Sequence, residues 1–291
     1  MKIDYIVTYV NPLDKEWQNS YIKEINNSDF DDSRFRDYCF FKFTLLSLLK
    51  NMSFLNSIII LVSSKSQIES DTTLNNIVFN NSKIRVVEHS DFIPKEFLPT
   101  FNSNTIESFL WNIPNLSDYI IYGNDDFYAL NPSKESDWFK DLKPIIYTKP
   151  CNGISVWHRK VHMMYDSMLG NSTITFPIIR HWSTPLLKCD MIETFKTHKD
   201  KVLNSLTPLR RDMSKNWNYY QYAYTSIFKN NFINGSDLNF GGYISFKPDV
   251  RGRYISYEIL HTKTKIFAVN DTKNWDKNDT PLIYNALKTK I

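Results

Sequence analysis

The chain has 291 residues, 42% hydrophobic and 15% aromatic, enough for one large domain or two small ones and unlike a disordered tail. Its 35 basic and 31 acidic residues leave a formal charge of +4, with no dense Lys/Arg stripe, which argues against nucleic acid as a partner. That balance is compatible with a phosphorylated or polyanionic substrate and with peripheral contact at an anionic membrane face. The three cysteines, Cys39, Cys151 and Cys189, fit no zinc or disulfide framework, so a reducing, cytoplasmic setting is expected. Residues 1–10 lack the features of a signal peptide, and no apolar run approaches the ~20 residues of a membrane span. The expectation is a soluble protein, or one held peripherally at the inner face of the cytoplasmic membrane.

In chain order, residues 3–10 predict a first strand, rich in β-branched and aromatic residues and broken by Asn11-Pro12. A helix is expected over 34–52, with apolar residues at helical spacing. Strands follow at 57–62 and 84–88. Ser103 is placed to cap a helix that runs to Trp111 and stops before Pro114. The run 119–122 reads as a buried strand, ended by Gly123-Asn124. Beyond it, a strand at 144–148, helices at 161–169, 185–204 and 216–228, a loop at 235–242 and a last strand at 265–269 are expected. Strand–helix alternation over the first 130 residues predicts an α/β fold with a mostly parallel sheet.

The apolar strand at 119–122 delivers two adjacent acids, Asp125 and Asp126. Carboxylates at the C-terminal edge of such a strand stand where open α/β sheets bind ligands. They suit a hard divalent cation and, through it, a diphosphate. The plain alternative is a turn whose acids accept only backbone hydrogen bonds, and the residues alone leave both readings open. Asn102, Asn104 and Glu107 offer donors and an acceptor for sugar hydroxyls, or else ordinary helix capping. Arg34, Arg36 and Asp37 offer a phosphate grip or a surface ion pair. Arg180-His181 and Arg210-Arg211-Asp212 have the composition of a phosphoryl-transfer set, although a lone histidine is seldom catalytic. The aromatics at 217–224, at helical spacing, read as core in preference to a glycan platform.

Together these segments resemble the Stealth family, which includes bacterial capsular-polysaccharide hexose-1-phosphotransferases and the catalytic subunit of the lysosomal-enzyme N-acetylglucosamine-1-phosphotransferase. Residues 3–11 are similar to its first block. Arg34-Phe35-Arg36-Asp37, His89 to Pro94, Leu98 to Asn104, Ile106-Glu107, Ile113 to Ser117 and Asn124-Asp125-Asp126-Phe127 are similar to its second. His181, Pro185, Arg210 or Arg211 and Asp212-Met213 resemble the third, with compressed spacing. Asn270-Asp271 looks like the start of the fourth. Pro12-Leu13 departs from the Gly-containing turn that is common in the first block.

The resemblance implies a Rossmann-like nucleotide-sugar-binding sheet covered by helices. It implies one catalytic domain over 1–291, with a nucleotide-sugar core at 1–130 and a mainly helical acceptor-side part at 131–291. The implied reaction transfers a sugar-1-phosphate from a UDP-hexose or UDP-N-acetylhexosamine to an oligosaccharide or polysaccharide hydroxyl, releasing UMP during capsule or cell-surface polysaccharide synthesis. The implied roles are Asp125, Asp126 and Asp271 at Mg²⁺ or Mn²⁺, and His181 with Arg210 or Arg211 at the diphosphate. Asn11, Asp14, Arg34, Arg36 and Asp37 fall near the nucleotide, and Asn102, Asn104, Glu107 and Asn124 near the sugar or behind the acids. A metal-dependent glycosyltransferase, a nuclease or phosphatase using the paired acids, and a non-catalytic glycan-binding module are the alternatives.

Overall fold

Ile58, Ile59 and Ile60 lie in the middle of a sheet buried on both faces, so an unbroken apolar run is what the position requires. The computed structural model describes residues 1–24, 35–150, 156–170, 177–207, 217–237, 239–272 and 274–291. Its first part runs β1 (Ile3–Thr8), α1 (Lys15–Glu24), α2 (Phe41–Asn51), β2 (Ser57–Val62), α3 (Ser66–Glu69), α4 (Thr72–Phe79), β3 (Ile84–Glu88), α5 (Ser103–Glu107), β4 (Tyr119–Gly123) and β5 (Phe127–Ala129). Then come β6 (Phe139–Lys140), β7 (Lys143–Ile146), β8 (Thr148–Pro150), α6 (Val156–Leu169), β9 (Pro177–Ile179), β10 (Thr184–Leu187), α7 (Lys188–Ser205) and α8 (Tyr220–Phe228). The chain closes with β11 (Ile233–Asn234), β12 (Gly241–Ser245), α9 (Gly252–His261), β13 (Ile266–Asn270) and α10 (Thr280–Lys290).

The central sheet has the order β10-β4-β1-β2-β3. Strands β3, β2, β1 and β4 are parallel, and β10 runs antiparallel along the outer side of β4. The chain builds outward from β1 to β3, then returns to the other side of β1 for β4. That reversal opens a crevice beyond the carboxyl ends of β1 and β4. Alternate residues feed opposite cores. Ile59 and Ile120 pack with Leu110, Met191 and Tyr222, whereas Ile58, Ile60 and Ile121 pack with Leu45 and Leu48 of α2 and Leu74 of α4. At the amino edge, buried Asp4 accepts hydrogen bonds from Asn56 Nδ2 (2.8 Å), Ser57 Oγ (2.7 Å) and Ser117 N–H (2.8 Å). That acid is a structural clasp.

A second sheet, β12-β13-β5, begins three residues after β4 ends. Strand β13 is antiparallel to β5, with Ala268 opposite Phe127. The Val269 N–H donates to the Asp126 carbonyl at 3.1 Å. Asn270 and Asp271 therefore return to the side of the two acids. Gly123 closes β4 because a Cβ there would collide with the Tyr5 hydroxyl and stand 2.7 Å from Tyr5 Cζ. Gly123→Ala is expected to cost roughly 2–3 kcal/mol, read as a lower denaturation midpoint, since buried Tyr5 is pinned to Ser183 Oγ at 2.7 Å and cannot retreat.

The α/β expectation holds, and β2 and β3 match their predicted spans. Other spans differ. The helix expected over 34–52 occupies only 41–51, because Asp37 holds the preceding residues in a turn. The helix from Ser103 ends at Glu107 and gives way to a 3₁₀ turn at 110–112. Residues 185–187 form a strand, not the start of a helix, because they pair with β4. Gly241 and Gly242 belong to a strand, where the rings of Trp182 and Phe267 lie where side chains would stand. The part after residue 131 is rich in helix but also supplies strands to both sheets. Among the described residues, no helix is long and apolar enough to cross a membrane.

Candidate active site

A cavity of about 380 Å³ fills the crevice at the reversal between β1 and β4. Thr8 to Val10 enter it from the end of β1, and Asn124 to Asp126 from the end of β4. Arg36 and Asp37 enter from the turn before α2, Ser103 and Glu107 from α5, and Asn270-Asp271 from the end of β13. Residues as far apart in the chain as Thr8 and Asp271 thus share one wall.

The acids are crowded. Burial, and after it the negative charge of Asp37, pushes the Asp125 carboxyl up to about 7. The Thr44 hydroxyl donates to the Asp125 carbonyl at 2.5 Å, which fixes the backbone of a residue that lines the cavity. Asp37 is also pushed upward, chiefly by burial, against hydrogen bonds that hold it down. Its Oδ1 accepts from the Phe40 and Phe41 N–H groups at 2.8 and 3.4 Å, and its Oδ2 from the Tyr9 hydroxyl at 3.1 Å. The phenol of Tyr128, buried beside them, is raised by burial and then by the charges of Asp126, Asp37 and Asp125. Tyr128 and the carboxylates of Asp37, Asp125 and Asp126 belong to residues that line the same cavity.

Arg36 stands at the same edge. Its Nε donates to Asp271 Oδ2 at 2.9 Å and its Nη2 to Asp271 Oδ1 at 3.0 Å, with a further bond from Nη2 to the Thr272 carbonyl at 3.1 Å. This bidentate pair joins the turn before α2 to the end of β13. The expected local pairing of Arg36 with Asp37 is absent: Asp37 caps α2 instead.

The remaining expected residues take varied places. Asn11 sits behind the cavity, donating from Nδ2 to the Gln67 carbonyl (3.3 Å) and Ser70 Oγ (3.1 Å). Asp14 accepts from the Trp17 N–H at 2.7 Å and starts α1. Asn102 caps α5 by accepting from the Asn104 N–H at 3.1 Å, and donates to Thr207 Oγ1 at 2.9 Å. Asn104 is buried within α5. Glu107 lines the cavity and ties two tyrosines: Tyr122 OH donates to Oε1 and Tyr219 N–H to Oε2, both at 3.1 Å. His181 lies outside the cavity wall, edge-on to Phe127 with centroids 5.3 Å apart, and its Nδ1 is 3.2 Å from Tyr220 OH. Arg34, Arg210 and Arg211 lie outside the described residues.

Three features escaped the sequence reading. Tyr9 links the end of β1 to Asp37. His89 lines the cavity from the end of β3. Trp17, Phe35 and Phe101 form an aromatic wall with Tyr21, at centroid distances of 4.9 to 5.8 Å. Tyr9 and His89 were visible as polar residues just past the ends of parallel strands, the same signal that marked Asp125.

A divalent cation fits this wall in part. Asp125 and Asp126 are hard oxygen donors, and Asp125 carries a charge that burial and Asp37 disfavour, so a cation relieves it. Asp271 does not complete the set in this arrangement, because both of its oxygens accept from Arg36. Among the described residues, no group of three or more His, Cys, Asp or Glu is gathered for a metal. Mg²⁺ characteristically uses one or two carboxylates and completes its shell with phosphate oxygens and water, which matches a two-acid site.

Residues 34–145 match the family model for Stealth protein CR2, conserved region 2. The chain is 29% identical to the capsular polysaccharide phosphotransferase fcs1 of Haemophilus influenzae, over 81% of this chain and 62% of that protein. It is 28% identical to the capsular polysaccharide phosphotransferase LcbA of Aeromonas hydrophila, over 86% of this chain and 66% of that protein. The chain thus spans slightly less than two thirds of the length of these relatives. Among solved structures, the galactosyltransferase LgtC superposes with a TM-score of 0.46 at 10% identity, over 99% of this chain and 96% of that one.

Proposed function

We propose that this chain, which carries Stealth conserved region 2 across residues 34–145, transfers a sugar-1-phosphate from a UDP-sugar to a glycan hydroxyl in capsule or cell-surface polysaccharide synthesis. The observation that carries this reading is the convergence of Asp37, Asp125 and Asp126 in the crevice where the strand order reverses. The names of the relatives support phosphotransfer in capsule synthesis. The UDP donor and the UMP leaving group are what the family resemblance implies, and paired acids beside a cavity are compatible with a diphosphate. The chain works as one catalytic domain, with residues 1–130 holding the nucleotide-sugar and 131–291 bringing the acceptor side.

Of the paired acids Asp125 and Asp126, one would hold Mg²⁺ or Mn²⁺, which would supply charge neutralisation at the donor's diphosphate, and the other would meet the acceptor hydroxyl. The acceptor hydroxyl oxygen attacks the phosphorus next to the sugar. The new oxygen–phosphorus bond forms as the bond to the bridging oxygen breaks, and UMP leaves with that electron pair. We assign the proton of the hydroxyl to Asp125, whose carboxyl burial pushes up to about 7, and the metal-ligand role to Asp126. Arg36 orients phosphate oxygens at the cavity edge. His181, with Arg210 or Arg211, holds the diphosphate from the acceptor side.

Incubation with UDP-hexoses and UDP-N-acetylhexosamines, Mg²⁺ or Mn²⁺ and oligosaccharide acceptors is expected to release UMP and form a phosphodiester. EDTA is expected to reduce turnover at least 100-fold. Release of UDP with a glycosidic bond would replace this reading with a glycosyltransferase, and UMP release without acceptor would replace it with a hydrolase.

A further inference from the structure

His89 follows β3 directly, in a short turn held by the Glu88 N–H bond to Asp91 Oδ2 at 2.9 Å. The carbonyl of His89 accepts from the Ile93 N–H at 2.9 Å, so the residue is fixed in place from both sides. Its ring packs edge-on to Phe92 and is 5% exposed, yet it contributes to the cavity wall. Its Nε2 is buried and has no hydrogen-bond partner among the described residues. Native proteins rarely leave a buried ring nitrogen unmatched, and an exception beside a cavity marks a group whose partner arrives with a ligand.

We propose that His89 binds the nucleoside half of the donor, giving its unmatched nitrogen a polar group of the base or ribose. This inference rests on the UDP-sugar reading above and deepens it. In the sheet order, β3 lies three strands from β4, roughly 14 Å at ~4.8 Å per step. With the diphosphate at Asp125 and Asp126, and His181 on the far side beside Phe127, the nucleoside extends toward β3. Trp17, Phe35 and Phe101 line that cavity with flat apolar faces suited to a base. Burial pushes the imidazole down to about 4, so at neutral pH it is uncharged, with one donor and one acceptor nitrogen that suit the polar groups of a base or ribose.

The test is calorimetric titration of the whole chain with UMP, without metal or acceptor. His89→Leu and His89→Ala are expected to weaken UMP binding roughly ten-fold or more, and His89→Gln, which keeps a donor and an acceptor, by no more than about three-fold. Under turnover, KM for the UDP-sugar is expected to rise in the apolar variants while kcat at saturation stays within about two-fold, a split that general loosening of the fold does not produce. Unchanged UMP affinity in whichever apolar variant folds overturns the inference, as does a fall in kcat without a rise in KM. Wild-type protein that binds no uridine nucleotide overturns the donor reading and this inference together. Wild-type binding with unaffected variants overturns the role of His89 alone.

Discussion

Asp126→Asn and Asp125→Asn proteins are expected to fold and to lose at least 10²–10³-fold in transfer rate, measured as UMP formed at saturating donor. The two differ in stability. The raised pKa of Asp125 means that the folded state keeps a proton that the unfolded chain gives up near the ordinary carboxylate value. Between about pH 4 and pH 7 the folded state therefore binds more protons, and stability falls as pH rises through that window, then levels off. Asn in place of Asp125 removes this slope. Asp125→Asn is expected to match wild type near pH 4 and to exceed it at pH 8, by a few kcal/mol at most. Thermal unfolding at the two pH values reads the difference. An inactive protein that is more stable than wild type at pH 8 identifies the acid as a functional group held at a cost to the fold. A variant that is active, or destabilised at pH 8, would refute the assignment.

Glu107→Ala is expected to lower stability by about 2–4 kcal/mol, read from urea unfolding, because it removes the acceptor of the buried Tyr219 N–H and of the Tyr122 hydroxyl. Glu107→Gln leaves one oxygen for the Tyr219 N–H and an amide that donates to the tyrosine oxygen, so a loss of only about 1 kcal/mol is expected. The effect reaches the site through α8. Tyr220 follows Tyr219 and meets His181 Nδ1 at 3.2 Å, so freeing the start of α8 frees the partner of that histidine. Loss of turnover in the Ala variant is expected to exceed that in the Gln variant. Equal stability of the two would show that the carboxylate faces ligand instead of anchoring α8.

How far the sequence reaches depends on whether a local pattern has one solution. The runs at 57–62 and 119–123 do: β-branched or aromatic residues, ended by small or polar ones, buried in a parallel sheet. The run 185–187 does not. Pro185, Leu186 and Leu187 suit a strand or a helix equally, and the choice is made by Ile121, Ile120 and Tyr119 across the ladder. Helices α9 and α10 carry a usable signal, Ile255 with Ile259 and Ile283 with Leu287 at i, i+4 spacing, weaker than that of the strands because each pair spans a single turn. The site divides in the same way. Asp125 and Asp126 were legible because a strand end points to a ligand edge. The pairing of Arg36 with Asp271 was not, because it is set by the antiparallel return of β13 beside β5. Asp37 illustrates the limit: nothing local distinguishes a surface ion pair from a cap that also bonds Tyr9 beside Asp125.

Residues 124–126 are the entire link between β4 of the central sheet and β5 of the second, and their number matters as much as their identity. Phe127 and Ala129 point into the core beneath the central sheet, while Tyr128 points into the one under α9 and α10. One inserted or deleted residue in the link would turn each of these side chains to the wrong core. Chain length is therefore frozen here, whereas the segments before α2 and α5, which bear Phe35 and Phe101, can gain or lose residues without reversing a strand. Divergence in donor or acceptor choice has room to accumulate in those walls, and insertions are expected to be purged between the acids and β5.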